Sequence, residues 1–282
     1  MRKHRHGWRP SDRDRAGEER TPEGRRKRKG LPRNAAGADP SLALIYGFHP
    51  VREALRAGRR RIARLHATAE AAERLSAEIA TAHVAVNIVS AQELSARLGA
   101  QAVHQGVLIE AGALEGGDIS DLAQSRGIVL VLDQITDPHN FGAIVRTAAA
   151  FGVEALITTH RHSPLLSSVL AKAASGGLEH VPLINVTNLA RALDRLGEDG
   201  FVRIGLDSEA PSSLDSIVLS RPLALVLGAE GQGLRRLTRE KCDCLARLDM
   251  PGPIKSLNVS NACAVALTLV TRALDQQGGG RP

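Results

Sequence analysis

The stretch Met250-Pro-Gly-Pro-Ile-Lys-Ser-Leu-Asn-Val-Ser-Asn-Ala262 runs through a Pro/Gly loop and a polar turn into an apolar helix. Two prolines fix the backbone before a helix and a glycine between them allows a sharp turn, so this loop is predicted to be a shaped binding surface. Two earlier stretches also join an apolar strand to a polar or Gly-rich loop. They are Leu132-Asp-Gln-Ile-Thr-Asp-Pro-His-Asn-Phe-Gly-Ala-Ile-Val-Arg-Thr-Ala148 and Leu225-Val-Leu-Gly-Ala-Glu-Gly-Gln-Gly-Leu-Arg235.

The positive charge of the chain is concentrated at its N-terminus. The net charge is +7, yet residues 1–33 hold thirteen Lys or Arg against five Asp or Glu, and the remainder holds 24 bases against 25 acids. Because this basic segment lacks apolar periodicity, residues 1–40 are predicted to be a disordered tail. Such a tail would attract RNA phosphates, or it would serve only as a solubilising extension.

Several classes of protein are excluded by what the sequence lacks. No apolar run reaches the roughly 18 residues that a membrane-spanning helix needs, and the first residues contain no apolar signal segment. We therefore expect no membrane association and a cytoplasmic location. Cys242, Cys244 and Cys263 lack the second pair of ligands that a zinc site requires, so they are predicted to be buried free thiols and no metal is expected.

Hydrophobic periodicity divides the remainder into two α/β regions. Residues 42–111 read as β-α-β-α-β-α-β, including a single helix over 69–82, and residues 112–126 read as a polar linker. Residues 127–277 alternate strands and helices, with a fully apolar strand at 128–132 and a helix over 141–151. Apolar strands between helices are typical of an open parallel sheet covered on both faces.

The three quoted stretches, in this order and spacing, resemble the signature motifs of the SpoU (TrmH-type) branch of the SPOUT RNA methyltransferases. The resemblance implies an S-adenosylmethionine (AdoMet)-dependent homodimer that methylates ribose 2′-hydroxyls of structured RNA. It also implies a deep trefoil knot in the C-terminal domain, the α/β-knot fold. Ile45-Tyr-Gly-Phe-His-Pro-Val-Arg-Glu-Ala-Leu55 and His104-Gln-Gly106 are similar to the L30e-like RNA-binding domain that many of these enzymes carry.

The resemblance extends to the class of substrate. Within the family the chain is most similar to enzymes that methylate a guanosine of 23S rRNA. A tRNA ribose methyltransferase is the alternative enzyme, and a catalytically silent RNA-binding or ribosome-assembly protein is the alternative of another class.

The candidate catalytic residues each have a plain structural alternative. Asn140 would be the N-cap of a helix, and Arg146 a solvated residue on it. Glu230 would be an exposed loop acid, although a carboxylate in such a loop is expected to pair with an arginine. Ser256 and Asn258 would be helix N-caps. The resemblance instead implies that Asn140 and Arg146 form the catalytic centre, with the other three supporting it.

The cofactor-binding residues follow from the resemblance as well. It implies that AdoMet lies on backbone groups of three loops, at Gly228, at Leu248 to Met250 and at Leu257. The glycines of Gly228-Ala-Glu-Gly-Gln-Gly233 do not have the spacing of a dinucleotide-binding fingerprint, yet glycines after an apolar strand indicate close backbone approach. Arg146 is expected to remain protonated and to stabilise alkoxide charge, and His139 is the alternative proton acceptor.

Overall fold

Two β-sheets organise residues 42–160 and 168–277, the parts of the chain that the computed structural model describes. These residues belong to one structural unit, 38–282. The predicted disordered tail lies outside the described residues, as does the first part of a helix predicted over 164–174.

The smaller sheet has four strands in the order β1-β4-β2-β3, with β4 antiparallel to both of its neighbours and β2 parallel to β3. Its strands are β1 Ala43–Tyr46, β2 Ile62–Ala67, β3 Val86–Ile88 and β4 Val107–Ala111. Its helices are α1 Phe48–Ala57, α2 Ala69–Arg74, α3 Ser76–Ala82 and α4 Ala91–Leu98.

The single helix predicted over 69–82 is wrong, because the chain forms two helices that meet at Leu75. The backbone of Leu75 leaves the helical region at φ −104° and ψ 9°, and its side chain is fully buried. The Ala/Glu-rich composition indicated helix on both sides, but only packing against the small core identifies the bend. The sequence predicts a short helix over 91–98, and a capping box between Ser90 and Glu93 starts α4 there.

The larger sheet has seven strands, all parallel, in the order β7-β6-β5-β10-β8-β11-β9. Its strands are β5 Ile128–Asp133, β6 Ala155–Thr159, β7 Leu183–Val186, β8 Val202–Leu206, β9 Ser212–Ser213, β10 Leu223–Gly228 and β11 Cys244–Arg247. Its helices are α5 Pro138–Ala150, α6 Ser168–Ala174, α7 Leu189–Glu198, α8 Arg236–Glu240 and α9 Val259–Gln277. The sequence had not predicted β7 or the two-residue β9.

Both faces of the larger sheet are covered, as the apolar strand β5 predicted. Alternate residues of β5 enter two separate cores, Ile128, Leu130 and Leu132 in one and Val129 and Val131 in the other. Helices α5 and α9 contribute to the first core, and α7 contributes to the second. Since β5 and β10 are neighbours at the centre of the sheet, the loops at their carboxyl ends open side by side, where open α/β sheets bind ligands.

Candidate active site

A cavity of about 400 Å³ lies at the carboxyl ends of β5 and β10. It is formed by the loop after β5, the first turn of α5, the glycine loop after β10 and the first residue of α9. Its lining residues are Gln134, Ile135, Thr136, Asp137, Asn140, Ala229, Glu230, Gln232 and Val259. All three motif stretches of the sequence therefore meet at one cleft.

Asn140 lies inside α5 and is not its N-cap. Asp137 caps the helix, since its carboxylate accepts the backbone N–H of Asn140 at 2.8 Å, and Pro138 occupies the first helical position, where its missing N–H costs nothing. The predicted start of the helix at residue 141 was thus three residues late. Because Asp137 performs the capping, the side chain of Asn140 is free for another role.

That side chain bonds to Asn258, at the start of α9. The Nδ2 of Asn258 donates to Oδ1 of Asn140 at 2.9 Å and to Oε2 of Glu230 at 3.4 Å. On its other side, Oδ1 of Asn258 accepts the N–H and hydroxyl of Ser260 at 2.9 and 2.6 Å. Asn258 therefore caps α9, as its structural alternative predicted, and also joins the three motifs. With its oxygen occupied, Asn140 presents its Nδ2 as a hydrogen-bond donor.

The predicted pairing of Glu230 with an arginine is not formed among the described residues, and it stays a prediction. Its carboxylate is exposed and accepts from the amide of Asn258, and no arginine of the described chain lies within ion-pair distance. Among the residues that the structure describes, the amide of Asn258 takes the place that the sequence assigned to a guanidinium.

Gly228 is required by the folding of its own loop. The chain turns back after β10 so that Gly233 N–H donates to the carbonyl of Ala229 at 2.8 Å, with Gly231 and Gly233 in the left-handed region. A Cβ on Gly228 would lie 2.2 Å from the carbonyl carbon of Gly233. No side chain fits at this position, which leaves backbone groups facing the end of the strand.

Asp133 is a residue of the site that sequence reasoning missed. It ends β5, pairs in register with Gly228, and is fully buried. Its carboxylate accepts the backbone N–H of Arg235 at 3.0 Å and the Nε of the same residue at 2.7 Å. This pair ties the far end of the glycine loop to the neighbouring strand. A lone acid closing an apolar strand was the available signal.

The remaining predicted residues do not line the cavity. Arg146 lies on α5 about 9 Å along the axis from Asn140, by the rise of an α-helix. It is exposed and makes no ion pair or hydrogen bond within the described residues. Ser256 and Leu257 are exposed in the loop before α9, whereas Leu248 is half-buried against the main core.

The loop that follows β11 is held by one contact of its own. The Nζ of Lys255 donates to the carbonyl of Met250 at 2.5 Å, closing a turn around the two prolines. Met250 itself is half-buried, and Ile254 at the tip is 74% exposed. The loop is thus exposed to solvent and partly apolar, and it leads into α9 at the edge of the cleft.

The three cysteines are free, as predicted, but only Cys263 is fully buried, while Cys242 and Cys244 are half-buried. Burial raises the pKa of the Cys242 and Cys263 thiols to about 12. Both are therefore protonated and unreactive at neutral pH. Among the described residues there is no cluster of side chains that would hold a metal ion, and no helix long and apolar enough to cross a membrane.

The site lies at the carboxyl edge of a parallel sheet and combines a glycine loop with two asparagines. Comparison of the sequence with known protein families identifies the class of enzyme that has this arrangement. The model of the SpoU rRNA Methylase family matches residues 127–268, and that of the RNA 2′-O ribose methyltransferase substrate-binding domain matches residues 44–116. The chain belongs to the SpoU rRNA methylase family.

Two relatives within this family, from different bacteria, carry the same name. The chain is 40% identical over 238 residues to the 23S rRNA (guanosine-2′-O-)-methyltransferase RlmB of Yersinia pestis, covering 81% of this chain and 96% of the relative. It is 46% identical over 179 residues to RlmB of Pseudomonas aeruginosa, covering 61% and 72% of the two chains.

Solved structures agree on the fold. The SpoU methyltransferase AviRb from Streptomyces viridochromogenes, in complex with AdoMet, matches with a TM-score of 0.70 at 23% identity, over 86% of this chain and 92% of that one. An AdoMet-bound rRNA methyltransferase from Sinorhizobium meliloti matches with a TM-score of 0.70 at 22% identity, over 83% and 88%.

Proposed function

We propose that this protein transfers the methyl group of AdoMet to the ribose 2′-hydroxyl of a guanosine in 23S rRNA. The observation that carries this proposal is the 40% identity to a 23S rRNA guanosine-2′-O-methyltransferase over 96% of that relative. The convergence of the three family motifs on one cleft supports it independently, through the bonds of Asn258 to Asn140 and Glu230. The proposed substrate implies that the enzyme acts in the cytoplasm.

AdoMet fits the carboxyl edge of the sheet. The ends of β10 and β11 offer backbone N–H and C=O groups, and the missing side chain of Gly228 lets the backbone of the glycine loop fold against the end of β10. We assign cofactor binding to Gly228, Leu248, Met250 and Leu257, the last from the exposed loop before α9. When bound, AdoMet supplies a methyl group on a sulfonium, which is already electrophilic. The protein's task is then to align the 2′-oxygen and to stabilise its charge.

The catalytic roles divide between the two helices at the cleft. Asn140 donates from Nδ2 to the ribose or the adjacent phosphate, while Asn258 holds the Asn140 amide in that orientation. Arg146 remains protonated and stabilises the developing alkoxide. Glu230 orients the amide of Asn258, and Ser256 contacts the nucleotide from the exposed loop before α9. The described residues leave Arg146 without a partner, as a substrate-binding guanidinium requires.

The domain organisation follows the same proposal. Residues 42–111 form an L30e-like RNA-binding domain, 112–126 a linker and 127–277 the methyltransferase domain, whose C-terminal segment is threaded as a deep trefoil knot. Residues 1–40, which lie outside the described residues, supply the basic charge that attracts RNA. The family match over 44–116, described as substrate binding, supports the role of the first domain.

A homodimer is the proposed active form. Three apolar side chains are exposed on the loop before α9 and on α9 itself. They are Ile254, Leu257 and Val265, which are 74, 40 and 42% exposed. A second copy would cover them and complete the cleft beside Arg146. Light scattering should give twice the mass of one chain; a fully active monomer would contradict the proposal.

The substrate is tested by mapping 2′-O-methyl groups in rRNA and tRNA from cells with and without the gene. We expect one guanosine of 23S rRNA to lose its methyl group, and the purified protein to restore it on RNA from those cells. Loss of a 2′-O-methyl group from tRNA alone would show that the substrate is a tRNA and not 23S rRNA. No loss in either RNA, with no transfer by the purified protein, would favour the silent RNA-binding alternative.

A further inference from the structure

A buried ion pair joins the two sheets. Arg60, between α1 and β2, donates from Nε to both oxygens of Glu179 at 2.8 and 3.0 Å. Glu179 lies in the 3₁₀ turn Gly177–Glu179, between α6 and β7. The two side chains are only 5 and 4% exposed, so both charges are removed from water.

The same guanidinium also holds the start of the linker. Nη1 of Arg60 donates to the carbonyl of Gly112, the residue after β4, at 3.0 Å. Two neighbouring contacts reinforce the junction. Arg59 donates from Nη1 to the carbonyl of Glu179 at 3.2 Å, and Nε2 of His180 lies 3.0 Å from Oε2 of Glu53 on α1. The small sheet, the linker and the large sheet are thus fastened at one place.

The turn that carries Glu179 has no space on either side. A Cβ on Gly176 would lie 2.5 Å from Cβ of Glu53 on α1. A Cβ on Gly177 would lie 3.0 Å from the carbonyl oxygen of Val145 and 3.1 Å from Cα of Arg146, both on α5. The turn therefore packs on one side against the backbone of α5, the helix that carries Asn140 and Arg146. On its other side it packs against α1 of the small domain.

A pair of this kind is a poor source of stability. Burial raises the pKa of the Glu179 carboxyl above its usual range, and Arg60 only opposes that shift. Apolar side chains of the same volume would stabilise a junction equally well. The planar guanidinium of Arg60, however, is fixed at two points, because its Nε–H is shared between both oxygens of Glu179 and its Nη1 is held by the carbonyl of Gly112, and this restricts the relative orientation of the two sheets. The pair therefore fixes the relative orientation of the two sheets and adds little to the stability of the junction.

We propose that Arg60 and Glu179 are positioning residues that hold the RNA-binding domain at one angle to the catalytic cleft, through the turn Gly177–Glu179 that backs α5. The inference rests on the proposed function, because it assumes that the small domain grips RNA. RNA bound to that domain would then present its ribose in line with the cleft, and the pair would set that alignment without touching the substrate.

The test compares the full chain with Arg60→Met and, as a matched control, Arg195→Met. Arg195 also pairs with acids, Glu198 and Asp199, but at the exposed surface of α7. Calorimetry measures AdoMet binding, and tritium transfer to a folded 23S rRNA fragment gives kcat and KM. We expect Arg60→Met to keep its AdoMet affinity within about twofold while kcat at saturating RNA falls about tenfold or more, because the ribose is misaligned. Arg195→Met should match the unmodified protein.

A second variant separates orientation from folding. Arg60→Met/Glu179→Met removes both charges, so neither is left buried alone, and it should regain thermal stability while kcat stays low. An unchanged kcat in Arg60→Met, a parallel loss of AdoMet binding and kcat, or full recovery of kcat in the double variant would each overturn the proposal. If the unmodified protein binds AdoMet but methylates no RNA, the proposed function fails instead.

Discussion

At the scale of single residues, the orientation of one amide decides what the cleft can do. Ser260 occupies the oxygen of Asn258, so the Asn258 amide nitrogen must face Asn140, and Asn140 must accept with its own oxygen. Asn140 is consequently a donor toward the cavity and is unable to take up the proton of a 2′-hydroxyl. The group that accepts that proton must lie elsewhere, and exposed His139 is the neighbouring candidate.

Arg146→Ala should abolish methyl transfer while AdoMet affinity, measured by calorimetry, changes less than about threefold, since the cofactor is assigned to backbone groups. Arg146→Lys is the sharper variant, because lysine keeps the charge but loses the planar fork, and we expect it to remain at least about a hundredfold impaired. Tritium transfer at saturating RNA measures both variants.

Arg126→Ala is the control for Arg146, as Arg126 is exposed at the opposite edge of the same sheet, before β5. It should be as active as the unmodified protein. Near-normal turnover by the lysine variant would exclude two-point contact, and near-normal turnover by the alanine variant would remove Arg146 from the site.

The residues show how far a sequence motif reaches. Asn140 and Asn258 could be chosen from their motifs, and the structure brings them to 2.9 Å. Two other contacts could not be predicted from the sequence. The capping role of Asp137 depends on where α5 starts, and the pairing of Asp133 with Arg235 depends on which strand lies beside β5. For the same reason, the contact between Glu230 and the amide of Asn258 could not be chosen.

At the scale of elements, the glycine loop after β10 is held at both of its ends. Gly228 pairs with Asp133 across the two central strands, and Asp133 in turn binds Arg235 at the start of α8. The loop between these points makes a narrow turn without a buried side chain between Gly228 and Leu234. Its shape therefore depends on backbone contacts that tolerate no added atoms.

Gly228→Ala should open this loop, because the new methyl group would overlap the backbone of Gly233 and not a movable side chain. We expect AdoMet affinity to fall at least about tenfold and unfolding to become easier by about 1–3 kcal/mol, the usual cost of overpacking. Calorimetry and urea unfolding measure the two effects.

Gly116→Ala is the matched control, since a Cβ there would meet only the carbonyl of Leu183 at an ordinary 3.5 Å. It should bind AdoMet normally. Normal AdoMet binding by Gly228→Ala as well would show that the cofactor does not depend on this loop.

At the scale of the whole molecule, the excess positive charge and the folded domains lie in different parts of the chain. The strands, helices and cleft come from a part of the chain that is close to neutral, while residues 1–33 carry the excess of basic residues. Long-range attraction of RNA is thus assigned to the tail and alignment of the ribose to the two domains. The first is screened by salt, and the second, which rests on buried contacts, is screened much less.

Deleting residues 1–38 should weaken RNA binding and flatten its dependence on salt, because about eight net positive charges are lost. The value of kcat at saturating RNA should stay within about twofold, since the cleft and the domain junction are untouched. Filter binding across a salt series, alongside tritium transfer, measures both quantities. An identical salt slope would show that the tail makes no contact with phosphate.

The sequence by itself determined the class of this protein and most of its elements. Runs of apolar residues define β5, β6 and β10, and the three motifs name the family, because these signals are local and need no knowledge of neighbours. What only the tertiary structure decided are the contacts between distant parts. Asn258 meets Asn140 across 118 residues, Arg235 meets Asp133 across 102, and Arg60 meets Glu179 across 119. Such pairs depend on strand order and domain packing, which a local pattern does not encode.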